Sequence, residues 1–143
     1  MRATRLGPRL ALGGWRGFTI EALFSASIPV FAWGHESWAL FIGGEAGADI
    51  AFGTGVGGGF VASVLAAVRY RPLAVLDVGI RVGARGALEF TGVQGNTSVD
   101  LFGGFLTGVE GTFWSSGRPR FVAGVDVIYG PGVGAFGFAG INF

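Results

Sequence analysis

Trp38–Phe52, WALFIGGEAGADIAF, separates into two sets when read at alternate positions. The even positions are Trp38, Leu40, Ile42, Gly44, Ala46, Ala48, Ile50 and Phe52, all apolar or glycine, with an aromatic ring at either end. The odd positions hold both charges, Glu45 and Asp49, among glycine, alanine and Phe41. Successive side chains of a strand point to opposite faces, so one face of this stretch suits hydrocarbon and the other carries carboxylates. That is the pattern of a membrane-crossing β-strand, with lipid outside and a polar barrel interior inside.

The pattern recurs on both sides. Phe18–Val30 puts Phe18, Ile20, Ala22, Phe24, Ala26, Ile28 and Val30 on one face and Glu21 on the other. Phe60–Tyr70, Ala74–Ala84, Ser98–Trp114, Phe121–Tyr129 and Gly134–Phe143 alternate in the same way. Arg9–Trp15, with Leu10 and Leu12 on one face, supplies a further short strand, and residues 1–8 read as an irregular start ending in Gly7-Pro8. The turns fall at Trp15-Arg16-Gly17, Trp33–Ser37, Arg71-Pro72, Ser115–Arg120 and Gly130-Pro131-Gly132. GTGVGGG (Gly53–Gly59) and Gly86–Thr97, which contains Gln94-Gly95-Asn96, read as long Gly-rich loops. Long connections on one side and short turns on the other are the asymmetry of outer-membrane barrels.

Composition narrows the alternatives. The chain has 143 residues, 50% of them hydrophobic and only 13% charged, with a mean hydropathy of +0.58. A membrane helix is the first competitor. Ile50–Val68 is free of charge for nineteen residues, long enough to span. Its centre is GTGVGGG, though, and Val127–Phe143 is broken by Gly130-Pro131-Gly132; both are costly in a helix. Glycine makes up 29 of the 143 residues, several times the usual share of about 7%. All ten basic residues are arginine and the net charge is +1, so no basic patch exists for nucleic acid. The absence of cysteine excludes disulfides and thiolate metal sites, and no cluster has metal-ligand spacing. No metal and no cofactor is expected. Arg2, Arg5 and Arg9 resemble a signal n-region without the apolar run that should follow; the reading is that a signal peptide has been removed.

Strands in lipid must satisfy every backbone N–H and C=O internally, so they must close. The expected fold is therefore all-β, an eight-stranded antiparallel up-and-down transmembrane β-barrel over residues 9–143. Closure requires the last strand to pair with Arg9–Trp15. The charged residues of the last seven strands all share the face opposite the apolar one: Glu21, Glu45, Asp49, Arg69, Asp77, Arg81, Arg85, Asp100, Glu110 and Asp126. They form the candidate interior polar network, with Arg81 expected among Asp77, Glu45 and Asp100. Trp38, Phe52, Phe60, Tyr70, Phe113, Phe121, Tyr129 and Phe143 lie near strand ends on the apolar face, the candidate aromatic girdle. On this reading Val78→Arg should harm insertion more than Gly79→Ser.

The strand pattern and the terminal Ala139-Gly140-Ile141-Asn142-Phe143 resemble the small eight-stranded outer-membrane barrels of Gram-negative bacteria, such as the transmembrane domain of outer-membrane protein A. The resemblance covers nearly the whole chain. It implies an outer-membrane location, lipid as partner, and a C-terminal strand read by the barrel-assembly machinery. It indicates no particular protein partner.

A soluble lipid-binding barrel would turn its polar face outward, the reverse of this pattern, which leaves three functions for a membrane barrel. A structural or surface-exposed envelope role suits an interior plugged by side chains, since eight strands leave room for little else. A narrow cation-preferring pore would use the inward carboxylates, seven acids against three arginines. An outer-membrane lipid-modifying enzyme would use His35-Glu36-Ser37, which resembles the His-x-Ser of lipid A deacylases. That family carries its pair late in the chain and on the outer side, whereas this one is early and in a turn on the inner side. The expectation is a non-enzymatic barrel of the first kind.

Overall fold

The computed structural model describes residues 3–14, 17–53, 55–93 and 95–143, with the Val93 side chain left out. Eight strands follow in chain order: β1 (Arg5–Gly14), β2 (Phe18–Trp33), β3 (Trp38–Phe52), β4 (Val56–Leu73), β5 (Leu76–Val93), β6 (Asn96–Ser115), β7 (Arg118–Tyr129) and β8 (Val133–Ile141). Each pairs antiparallel with the next, and β1 pairs with β8 from Arg9↔Gly140 to Gly14↔Ala135, closing an up-and-down barrel. Both termini and the turns at residues 34–37, 74–75 and 116–117 lie at one end, called here the terminal end. The other turns lie at the far end. No helix among the described residues is long and apolar enough to cross a membrane, which bears only on helices.

Several boundaries differ from the sequence reading. The first strand begins at Arg5, not Arg9, because the alternation continues upstream: Arg5, Gly7, Arg9 and Ala11 point in, and Leu6, Leu10 and Leu12 point out. Arg5 faces Ser27 across the ladder, so residues 5–8 are strand rather than an irregular start. GTGVGGG is mostly strand: Gly57, Gly58 and Gly59 pair with Ala51, Ile50 and Asp49. A Cβ at Gly59 would lie 1.9 Å from the Leu88 carbonyl oxygen, so glycine serves close backbone approach there, not loop freedom. Residues 86–93 continue β5, leaving Gly95 (φ 82°) to turn the hairpin. Arg71-Pro72 lies within β4 and the turn falls at Ala74-Val75. Ser115–Arg120 shrinks to Ser116 and Gly117, both at positive φ. The proposed Trp15-Arg16 turn and Gln94 lie outside the described residues. The expected contrast between long and short connections is therefore absent; the asymmetry lies in the strands, 20 residues in β6 against 9 in β8.

Pro29 marks an irregularity that the sequence signalled. Without an N–H it cannot continue the ladder, and the β2–β3 register shifts between Pro29 and Phe31. The extra residue exchanges the faces, so Phe31 and Trp33 point outward beside Trp38. Phe31, Trp33, Trp38 and Tyr70 then stack in series, with ring centroids 5.8, 6.1 and 4.5 Å apart. Phe113, Phe121 and Phe143 also lie at the terminal end; Phe52, Phe60 and Tyr129 lie toward the far end. All eight aromatic residues singled out from the sequence are outward and at least partly exposed.

The outer wall is apolar along its length: Leu10, Phe24, Ile42, Val64, Ile80, Val82, Phe105 and Val125 are all exposed. Val82→Arg, beside the middle of the barrel, should cost about 2–4 kcal/mol of folding free energy in a lipid-refolding titration, while Val82→Leu should leave it unchanged. Gly79→Ser loses its expected mildness, since a Cβ there lies 2.9 Å from Arg69 Cγ. Deleting residues 1–14 removes β1 and both of its seams, and should abolish the monomer whose gel mobility changes on boiling.

Candidate functional site: the charged barrel interior

Every strand except β8 sends at least one buried charged side chain inward, β8 contributing Phe136 and Phe138 instead. Six carboxylates and five guanidiniums are buried: Glu21, Glu45, Asp49, Asp77, Glu110 and Asp126 against Arg5, Arg9, Arg69, Arg81 and Arg85. They are ordered in three tiers along the axis.

The tier at the terminal end centres on Asp77. Arg5 donates to both of its oxygens, Nη1 to Oδ1 at 3.3 Å and Nη2 to Oδ2 at 2.8 Å, the paired geometry that suits a guanidinium to a carboxylate. The indole N–H of Trp114 donates to the same carboxylate. Thr112 Oγ1 accepts from Arg5 at 2.6 Å and from Arg69 at 3.0 Å. Phe41 lies against both guanidiniums, 4.7 Å from Arg5 and 5.0 Å from Arg69. Asp77 and Thr112 are wholly inaccessible to solvent.

The middle tier joins Glu45, Arg9, Arg81, Asp126 and Glu110. Glu45 accepts from Arg9 Nη1 at 2.6 Å and from both terminal nitrogens of Arg81, at 3.0 and 2.9 Å. Arg81 reaches Asp126 as well, at 2.7 Å. Glu110 forms a close ion pair with Arg69, linking this tier to the first, and lies 3.7 Å from Arg9 and Arg81. The Phe138 ring sits beside the Arg81 and Arg9 guanidiniums, at 4.5 and 5.2 Å. At the far end, Arg85 pairs with Glu21 and lies over Phe136 at 5.1 Å, while Asp49 faces Glu21 across the β2–β3 ladder.

Glycine makes this filling possible. Long inward side chains sit opposite inward glycines: Arg9↔Gly140, Arg69↔Gly79, Arg81↔Gly108 and Glu110↔Gly124. A Cβ at Gly140 would come 2.8 Å from Arg9 Cγ, and one at Gly124 would come 2.6 Å from Phe138 Cζ. The small residues supply the volume that the large ones occupy. Leu106, Ile128, Val122, Val61 and Leu23 join Phe136 and Phe138 in an apolar cluster between the charges.

Nine of the ten sequence-selected network residues are buried inside, and Asp100 is not. It has the inward phase, but it stands opposite Glu89 near the tip of the β5–β6 hairpin, beyond the level at which β7 begins to pair with β6. Arg81 meets Glu45 as expected, and Asp126 in place of Asp77 and Asp100, because Asp77 is taken by Arg5 one tier away. Sequence reasoning missed Arg5, Arg9, Thr112 and Trp114. The signal for the two arginines was present: both share the phase of Ala11, opposite Leu10 and Leu12. Reading residues 1–8 as an irregular start, and drawing the network from the last seven strands only, hid it. Their inclusion, with Asp100 removed, brings the buried charge from strongly negative to minus one if all groups ionise.

The remaining candidates carry less. His35 and Glu36 form the β2–β3 turn at positive φ, with Ser37 following, at the terminal end and away from any buried acid–base pair. Among the described residues no three of His, Cys, Asp and Glu gather as metal ligands.

A closed eight-stranded barrel, apolar outside and charged within, defines the class of the small outer-membrane β-barrels. No protein-family model and no curated protein sequence matches the chain. Solved structures do. The chain is similar to the attachment invasion locus protein Ail of Yersinia pestis at 14% identity and a TM-score of 0.64, over 97% of this chain and 94% of that one. It is similar to the N-terminal β-barrel domain of Pseudomonas aeruginosa OprF at 15% identity and a TM-score of 0.60, over the whole of both chains. Neisserial surface protein A matches at 12% identity and a TM-score of 0.61, over 97% and 94%. At these identities the likeness establishes the fold: an eight-stranded barrel of the outer-membrane type.

Arg81 holds the middle tier together, so its loss leaves Glu45 and Asp126 buried with too little positive charge. Arg81→Met should lower folding free energy by about 3–5 kcal/mol in a urea titration of the detergent-folded barrel. Adding Glu45→Gln should recover part of that loss, as coupled partners do.

Proposed function

We propose that this chain is an integral barrel of the Gram-negative outer membrane with a structural or surface-exposed envelope role, its interior a plug rather than a path. The observation that carries this is the packing of the lumen. Three tiers of ion pairs and aromatic rings occupy it, and two cavities among the described inward residues measure about 20 Å³ each. That is room for about one water molecule apiece. A hydrated ion crossing such an interior would have to break several guanidinium–carboxylate pairs in turn.

In this role the outward aromatic residues at the two ends serve as interfacial girdles, and the C-terminal strand, with Ile141 and Phe143 outward, serves as the segment recognised during barrel assembly. Neisserial surface protein A, a similar fold, is by its name a surface protein, which supports an envelope role. The reading is non-enzymatic. His35 and Ser37 sit in a tight turn at the terminal end, with His35 exposed and at positive φ.

The narrow cation-preferring pore is the competing reading, favoured by the single excess buried carboxylate. Planar-bilayer recording separates the two. The plugged barrel should show no steady conductance, whereas Arg81→Ala, which opens the middle tier, should introduce one. Cation-selective channels in the unmodified protein would overturn the plug. Incubation with lipid A should release no fatty acid above background, and His35→Ala should change nothing.

A further inference from the structure

We infer that the far end of the barrel binds a hard divalent cation between Glu21 and Asp49. The two residues are register partners, directly opposite each other on the inner faces of β2 and β3. Like charges in that relation repel and destabilise a sheet unless something stands between them. Arg85 answers only half of the problem: it pairs with Glu21 through Oε1 and is held in place over Phe136.

What remains points to a ligand. Glu21 Oε2 and Asp49 Oδ1 are both buried and neither has a hydrogen-bond partner. The side chains themselves are 1% and 5% exposed. Both residues line one cavity of about 20 Å³, together with Thr19, Arg85, Glu89 and Phe136, a space of ionic size. A buried carboxylate oxygen left unmatched costs free energy, and two of them facing one cavity are a poor arrangement for an empty barrel.

A hard cation suits oxygen ligands, and magnesium in particular is held by one or two carboxylates with water completing its shell. The Glu21 and Asp49 carboxylates meet that requirement. The cation would join β2 to β3 and neutralise the one tier in which carboxylates outnumber guanidiniums without a second arginine to share.

The test uses the full chain folded in a nonionic detergent, so that no headgroup phosphate competes. After chelation, magnesium chloride and calcium chloride are titrated in by calorimetry, against sodium chloride at matched ionic strength. The folded-to-unfolded gel shift is followed with temperature in parallel. The proposal expects one saturable site per chain and a rise in unfolding temperature that saturates with it. Asp49→Asn should fold, weaken the affinity at least about tenfold and remove the temperature rise. Asp49→Ser carries the same test should the first variant refold poorly. Asp100→Asn, at the exposed tip, should bind as the unmodified chain does. Absence of a saturable signal with either divalent cation overturns the proposal, as does an Asp49 variant that binds undiminished.

Discussion

Backbone hydrogen bonding in hydrocarbon constrains this molecule more than any other interaction. A strand in lipid has no water to satisfy its N–H and C=O groups, and each unmatched group costs several kcal/mol. Eight strands solve this only if the first and last find each other. The β1–β8 ladder, continued by the Phe143 amide donating to the Leu6 carbonyl, is therefore the condition on which the rest depends. It explains why ten residues at the N-terminus, short and glycine-containing, are strand at all. Gly7 and Gly13 stand where a Cβ would fall within 2.0 Å of carbonyl oxygens of β8, so the seam admits no side chain at these inward positions.

Closure at eight strands in turn creates the charged interior. The lumen is narrow, and the inward face has no second sheet to pack against. Arginines reach across it: Arg81 to Glu45 and Asp126, Arg5 to Asp77, Arg85 to Glu21. A planar guanidinium can serve two carboxylates and an aromatic face at once, which a lysine ammonium does less well. The exclusive use of arginine among the basic residues agrees with that demand. The opposite glycines are the complement of these side chains, and both patterns arise from one shortage of space.

The barrel was legible because a strand has a period of two and lipid accepts only one kind of face. Wherever that alternation ran unbroken, as in Trp38–Phe52, the element and its facing followed, with bounds that match those of β3. The misreadings share a cause. Gly53–Gly59 and Gly86–Thr97 looked like loops because glycine usually signals a turn, whereas here it marks tight contact inside a strand. Arg5 was missed because residues 1–8 ended in Gly7-Pro8 and read as an irregular start, and Arg9 because the first strand was left out of the network. Asp100 was placed inside because its phase is right, but phase fixes which face a residue takes and says nothing of height along the axis. Pairing within the network was beyond sequence alone, since Arg5 and Asp77 are 72 positions apart and meet only once the ring is shut.

The unequal wall has a consequence for how deep the molecule floats. β6 pairs with β5 as far as Asn96, but with β7 only from Phe105 onward. The stretch between them therefore presents one edge with no neighbouring strand. Water can solvate such an edge and hydrocarbon cannot. The barrel must then ride with that edge clear of the acyl chains, and the waterline falls near Tyr129, the outward aromatic residue opposite Phe105. Draught is set on this side by unpaired peptide groups, independently of where the apolar side chains end.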